Sequence, residues 1–137
     1  MNFNYLGCPH NKLFLRNPYV YKFFKSDKKY NNEKYFYLNY KIDYIPKLCC
    51  FSDKRRLLVL SFVGHRIKKK QIDIEALKYI NNYFIKKNIF HNDYRVKNIL
   101  YNEKENKYYF IDWEHFDTCF NDNRKSRKSD DLRDILF

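Results

Sequence analysis

FHNDYRVKNILYNEKENKYYFIDWEHF, residues 90–116, sets His91, Asp93, Asn98, Asp112 and Glu114 in one short stretch between apolar runs. Asn98 to Tyr101 is short and apolar, NEKENK is a polar turn, and Tyr108 to Ile111 is apolar again. That order predicts a β-hairpin, with Asp93 and Asn98 before its first strand and Asp112 at the end of its second. A hairpin brings its two ends together. Two carboxylates and an amide oxygen converging there make a hard oxygen site suited to Mg²⁺. Magnesium takes only one or two protein carboxylates and completes its shell with phosphates and water. One carboxylate then stays off the metal to orient a hydroxyl nucleophile, which is the division of labour that phosphoryl transfer requires.

HNDYRVKN, residues 91–98, resembles the catalytic loop H-x-D-x-x-x-x-N of the protein-kinase-like superfamily, and FIDWE, residues 110–114, resembles its magnesium-binding motif, usually DFG. The HND loop followed by Asn-Ile-Leu, then Ile-Asp-Trp-Glu, is most similar to the choline, ethanolamine and aminoglycoside phosphotransferases. The resemblance implies ATP and Mg²⁺ as cofactors and a hydroxyl-bearing acceptor, small molecule or protein. It implies Asp93 as catalytic base, with Arg95 and Lys97 as candidates to neutralise the γ-phosphate. Asn98, Asp112 and Glu114 are the implied metal residues, and His91 packs beneath the metal motif. It further implies that Lys22 in YVYKFF, residues 19–24, reaches the α- and β-phosphates, with Val20 covering the adenine and Glu33 as the acidic partner of Lys22. LVLSFVGHRI, residues 58–67, resembles the fifth strand and hinge, so Ser61, Phe62, Val63 and Gly64 would meet the adenine edge, with Leu100 beneath it and Ile111 flanking the metal motif.

Outward from this centre, KLFLR (residues 12–16) and YVYKFF predict two strands broken by Asn17-Pro18. Residues 32–41 carry Phe36, Tyr37 and Tyr40 at helical spacing, with Asn31 or Asn32 as N-cap. Residues 44–51 and 56–63 read as strands, the second apolar enough to be buried on both faces. Asp73 caps an expected helix from Ile74 to about Lys87 with Ile74, Leu77, Ile80 and Phe84 on one stripe, and DDLRDILF, residues 130–137, closes the chain as a short helix. The fold class expected is α+β: a compact two-lobed protein-kinase-like domain over residues 1–137. Its small sheet lobe would span about 1–63 and a reduced catalytic lobe 64–137. The N-lobe is reduced because Gly7 and Gly64 are the only glycines and no glycine-rich loop exists; the phosphate cover is either a reduced turn around Gly7 to Asn11 or missing. The C-lobe is truncated, because 25 residues follow Asp112, and a partner chain could complete the substrate site.

The formal net charge is +12. Abundant Lys, Asn, Tyr, Phe and Ile, all with AT-rich codons, account for much of it, so nucleic acid is an unlikely partner despite the basic run RKSRK at 124–128. A basic nucleic-acid-binding module and a partner-binding pseudokinase are the alternatives to an active enzyme. Cys8, Cys49, Cys50 and Cys119 form no CxxC pair, which predicts buried free thiols in a reducing, intracellular compartment. Cys8 with His10, and His115 with Cys119, have ligand-like spacing but do not complete a zinc set. No signal peptide is expected in MNFNYLGCPHNK, and the run Leu57–Val63 is too short to span a membrane.

Overall fold

A computed structural model describes residues 4–5, 11–121 and 129–137 of the chain. It is a small α+β domain with two antiparallel sheets. The first sheet holds β1 (Asn4–Tyr5), β2 (Asn11–Arg16), β3 (Tyr19–Phe24), β4 (Leu48–Ser52) and β5 (Leu57–Ser61), in the order β1-β2-β3-β5-β4. The second holds β6 (His65–Arg66), β7 (Ile99–Asn102) and β8 (Lys107–Phe110), in that order. Helix α1 (Asp27–Asn39) lies between β3 and β4 in the chain, α2 (Ile74–Lys86) between β6 and β7, and α3 (Arg133–Leu136) near the C-terminus.

Each element follows from its residues. The β2–β3 register pairs Arg16 with Tyr19 across the Asn17-Pro18 turn. Leu58, Val59 and Leu60 are all buried in β5, which lies between β3 and β4, as a near-continuous apolar run requires. Asp73 caps α2 by accepting from the Ala76 N–H at 3.2 Å, and Leu77, Ile80 and Phe84 turn into the core. The expected hairpin is present as β7 and β8, with Ile99 opposite Phe110 and Asn102 opposite Lys107. Gly64 sits where the two sheets join. A Cβ there would meet the Tyr101 carbonyl oxygen at 2.6 Å, so only glycine permits the chain to pass so close to β7.

Four expectations are corrected. Helix α1 starts at Asp27, capped by Ser26, whose hydroxyl accepts from the Lys29 N–H at 3.3 Å; Asn31 and Asn32 lie inside it and Tyr40 caps its end. The Asn32 amide donates instead to the carbonyls of Glu114 and Phe116, contacts that residue spacing does not encode. The strand expected at 44–51 begins only at Leu48, because Tyr44 takes φ 68° and turns the chain. The run 56–63 ends as a strand at Ser61, and β6 just beyond it belongs to the other sheet. Cys49, Cys50 and Cys119 are free but exposed, not buried. The first two lie on β4, an edge strand whose register slips between Leu48 and Cys50. The Gly7–His10 part of the expected phosphate turn, the Cys8 and His10 pair, and the run 124–128 lie outside the described residues.

The core runs from α1 through the hairpin to α2. Trp113, wholly buried, stacks on Phe36 of α1 with centroids 4.1 Å apart and meets Phe84 of α2 edge-on at 5.2 Å. Its indole N–H donates to the Phe110 carbonyl at 2.9 Å, so the ring is satisfied as well as packed. The residue after Asp112 therefore anchors the hairpin's end to both long helices. Among the described residues, no helix is long and apolar enough to cross a membrane.

Candidate functional site

A cavity of about 500 Å³ opens between the two sheets. Val20 and Lys22 reach it from β3, and Ser61, Phe62, Val63 and Gly64 line it from the connection between the sheets. Leu100 and Ile111 line it from the hairpin, joined by Glu33, Lys97, Asn98 and Asp112. Residues spread over 93 positions of sequence thus meet at one place. Strand alternation explains the pair on β3, since residues i and i+2 share a face.

Lys22 is the centre of charge. Its Nζ lies 2.8 Å from Glu33 Oε2 and 3.0 Å from Asp112 Oδ1, and its side chain is only 6% exposed. Burial alone would lower the ammonium's pKa; the charges of Asp112 and Glu33 outweigh it and hold Lys22 protonated, well above its ordinary value. Burial pushes the fully enclosed Glu33 up to about 7, against the pull of Lys22 and with that of Asp112. Burial also acts to raise Asp112, but Lys22 prevails and brings it down to about 2.

Asp112 takes a left-handed φ of 65°, a region that residues other than glycine, asparagine and aspartate seldom enter. The peptides on either side pin it there. The Ile111 N–H donates to the Asn98 carbonyl at 2.9 Å. The Ile111 carbonyl accepts from His91 Nε2 at 2.6 Å, and the Trp113 N–H donates to Glu33 Oε1 at 2.9 Å. His91 accepts at Nδ1 from the Asp93 N–H at 3.1 Å, so the two bonds select the neutral Nε2–H tautomer. Burial lowers the His91 pKa and agrees with that assignment. His91 thus ties the loop carrying Asp93 to the turn carrying Asp112. Asn98 adds a second tie, its Nδ2 donating to the Asp93 carbonyl at 2.9 Å, which leaves Oδ1 as the acceptor.

The other expected residues stand apart from the cavity lining. Asp93 is 4% exposed and held by the bonds just given. Arg95 pairs through Nε with Asp130 Oδ1 at 2.9 Å. Of the two basic candidates it is Lys97 that lines the cavity. Glu114 accepts from Asn11 and faces Lys29. Leu13, Leu15, Leu60, His65 and Arg66 also line the cavity and were not anticipated; the alternation of KLFLR and the residues after Gly64 carried the signal. Asn92 was missed too. At φ 63° it donates to the His115 and Cys119 carbonyls and accepts from the Asn121 N–H, fastening the segment after Asp112 beside Asp93.

The donors suit a hard cation. Asp112, a low-pKa carboxylate, lines the cavity beside Asn98, whose amide oxygen is an acceptor. No three His, Cys, Asp or Glu side chains gather as a metal cage among the described residues, His115 and Cys119 included.

No protein-family model matches the sequence, and no curated protein matches it. Solved structures do. The chain aligns with a crystal structure of monomeric WbdD at TM-score 0.67 and 18% identity, covering 86% of this chain and 37% of that one. It aligns with a structure of the bifunctional kinase-methyltransferase WbdD at TM-score 0.67 and 19% identity, covering 87% of this chain and 34% of that one. The chain therefore spans about a third of the length of these proteins and shares the fold of part of an enzyme.

Proposed function

We propose that this chain is an ATP- and Mg²⁺-dependent phosphotransferase that moves the γ-phosphate to a hydroxyl acceptor. The observation that carries the reading is Lys22 held between Glu33 and Asp112 at 2.8 and 3.0 Å inside the cavity. A fixed ammonium there meets the α- and β-phosphates, and Glu33 keeps it extended toward them. The apolar part of the cavity, with Val20, Leu100 and Ile111, takes the adenine against the Ser61–Gly64 backbone. Asn98 and Asp112 hold Mg²⁺, which when bound neutralises charge on the β- and γ-phosphates. Asp93 orients the acceptor hydroxyl and takes its proton; Lys97 offsets charge developing on the γ-phosphate. The kinase in the WbdD description supports this reading at the level of fold. The acceptor, and a partner chain that would complete its site, belong to the proposal too.

The test is turnover by the parent chain beside Asp93→Asn. The base does not touch ATP, so the variant is expected to bind Mg²⁺-ATP within a few-fold of the parent while phosphoryl transfer, or slow ATP hydrolysis, falls by roughly 10²–10⁴. Choline, ethanolamine, aminoglycosides and generic protein acceptors are the first substrates to try. Nucleotide binding with no turnover above the variant, even after a partner chain is added, would replace this reading with that of a pseudokinase.

A further inference from the structure

The chain has no glycine-rich loop, and strand β2 runs along the cavity. Asn11, Leu13 and Leu15 share one face of that strand by alternation. Leu13 and Leu15 line the cavity, while Asn11, 2% exposed, begins the strand. Its Nδ2 donates to Glu114 Oε2 at 3.2 Å, joining positions 103 residues apart. Glu114 Oε1 lies 3.7 Å from Lys29 Nζ and 3.5 Å from His115 Nε2. The Glu114 carbonyl accepts from Asn32 of α1 at 2.7 Å. In an extended chain Asp112 and Glu114 would point the same way; the left-handed turn at Asp112 breaks that run. Asp112 lines the cavity, and Glu114 does not.

We propose that Glu114 is a positioning residue: through Asn11 it fastens β2 over the phosphate end of the nucleotide, and it does not ligate the metal. This rests on the phosphotransferase reading above. The two roles of the Ile-Asp-Trp-Glu segment divide cleanly. Asp112 faces the ligand, and Glu114 closes the strand above it. Glu114 Oε2 is engaged by Asn11 and Oε1 faces Lys29 and His115, so both oxygens have partners away from the cavity that Asp112 lines.

The experiment is calorimetric binding of a non-hydrolysable ATP analogue, with Mg²⁺ varied, to the parent chain and to Asn11→Ala, Glu114→Ala, Glu114→Gln and Asp112→Ala. Asn11→Ala and Glu114→Ala are each expected to weaken nucleotide binding about tenfold, the loss of one hydrogen bond to a charged group. The double variant should be no weaker than either single one, because both remove the same contact. Glu114→Gln keeps an acceptor oxygen for Asn11 and should stay within about twofold of the parent. The Mg²⁺ concentration needed should rise only in Asp112→Ala. A Glu114→Gln variant that needs more Mg²⁺, as Asp112→Ala does, would overturn the proposal. So would Asn11→Ala with unchanged nucleotide affinity, since a purely structural bond alters stability and not the affinity of the folded chain. If Glu114→Ala does not fold, Asn11→Ala and Glu114→Gln still decide it. A parent chain that binds no nucleotide would overturn the phosphotransferase reading itself, and this proposal with it.

Discussion

Asp112 holds the least replaceable position in the site, because its carboxylate, backbone turn and ion pair all depend on one residue. Asp112→Ala is expected to abolish the Mg²⁺-dependent part of stabilisation by ATP, since no other carboxylate among the described residues lines the cavity beside Asn98 except Glu33, which Lys22 and Trp113 already engage. Thermal shift with ATP and Mg²⁺ against ATP alone reads this directly, and an unchanged Mg²⁺ increment in the variant would remove Asp112 from the metal. Glu33 gives a pH test. Its carboxyl is raised to about 7 in the fold, so the folded chain binds a proton that the unfolded chain has already released. Its contribution to stability is therefore greatest below the ordinary carboxylate range and is lost as pH rises toward about 7. The stability of the parent relative to Glu33→Gln should fall between about pH 5 and 7 and level off above that. Urea midpoints across that range are the measurement; a difference that stays flat would mean that Glu33 ionises normally.

At the scale of elements, the hairpin's end is held by one ring. Trp113 packs on Phe36, Phe84 and His91 and links α1, α2 and the Asp93 loop. Trp113→Ala should cost about 3–5 kcal/mol, the range for a large buried aromatic, and should loosen the turn at Asp112 along with the core. Urea unfolding checks the first part, and a loss under about 1 kcal/mol would show that the stack contributes little. The hairpin and α2 were legible in the sequence because their signals are local: a polar turn between apolar runs, and Asp73 before a 3.6-residue stripe. The start of α1 was not. Ser26 is as good a cap as Asn31 or Asn32, and the choice is settled by where Tyr30, Glu33 and Phe36 find burial. Strand β6 is two residues long, below what alternation can reveal, and exists because Gly64 lets His65 and Arg66 pair with β7.

For the whole molecule, the question is what a net charge of +12 serves. The positive side chain at the heart of the cavity, Lys22, is buried and paired with Glu33 and Asp112, so it is not part of a surface over which a polyanion could slide. Nonspecific DNA binding should be weak at physiological salt. Fluorescence anisotropy over a salt series tests this, and sub-micromolar affinity with a steep salt slope would favour a nucleic-acid module instead. The exposed Cys49, Cys50 and Cys119 belong to this scale as well, since an edge strand and a surface segment leave thiols open that composition alone assigned to the interior.

By itself the sequence determined which residue types could do chemistry, and it placed Asp93, Asn98 and Asp112 around one hairpin, because hairpins and caps are made by neighbours a few positions apart. Only the tertiary structure decided that Glu33 lies wholly buried against a lysine on another strand. It also decided that Arg95 turns to Asp130 while Lys97 lines the cavity, and that Asp112 and Glu114 part ways. Those outcomes rest on contacts between residues up to 103 positions apart and on one left-handed turn. Neither leaves a period in the sequence. Both are settled by the burial of Trp113, Phe36 and Phe84 in a shared core, which draws the distant segments together and leaves each polar side chain to find its partner there.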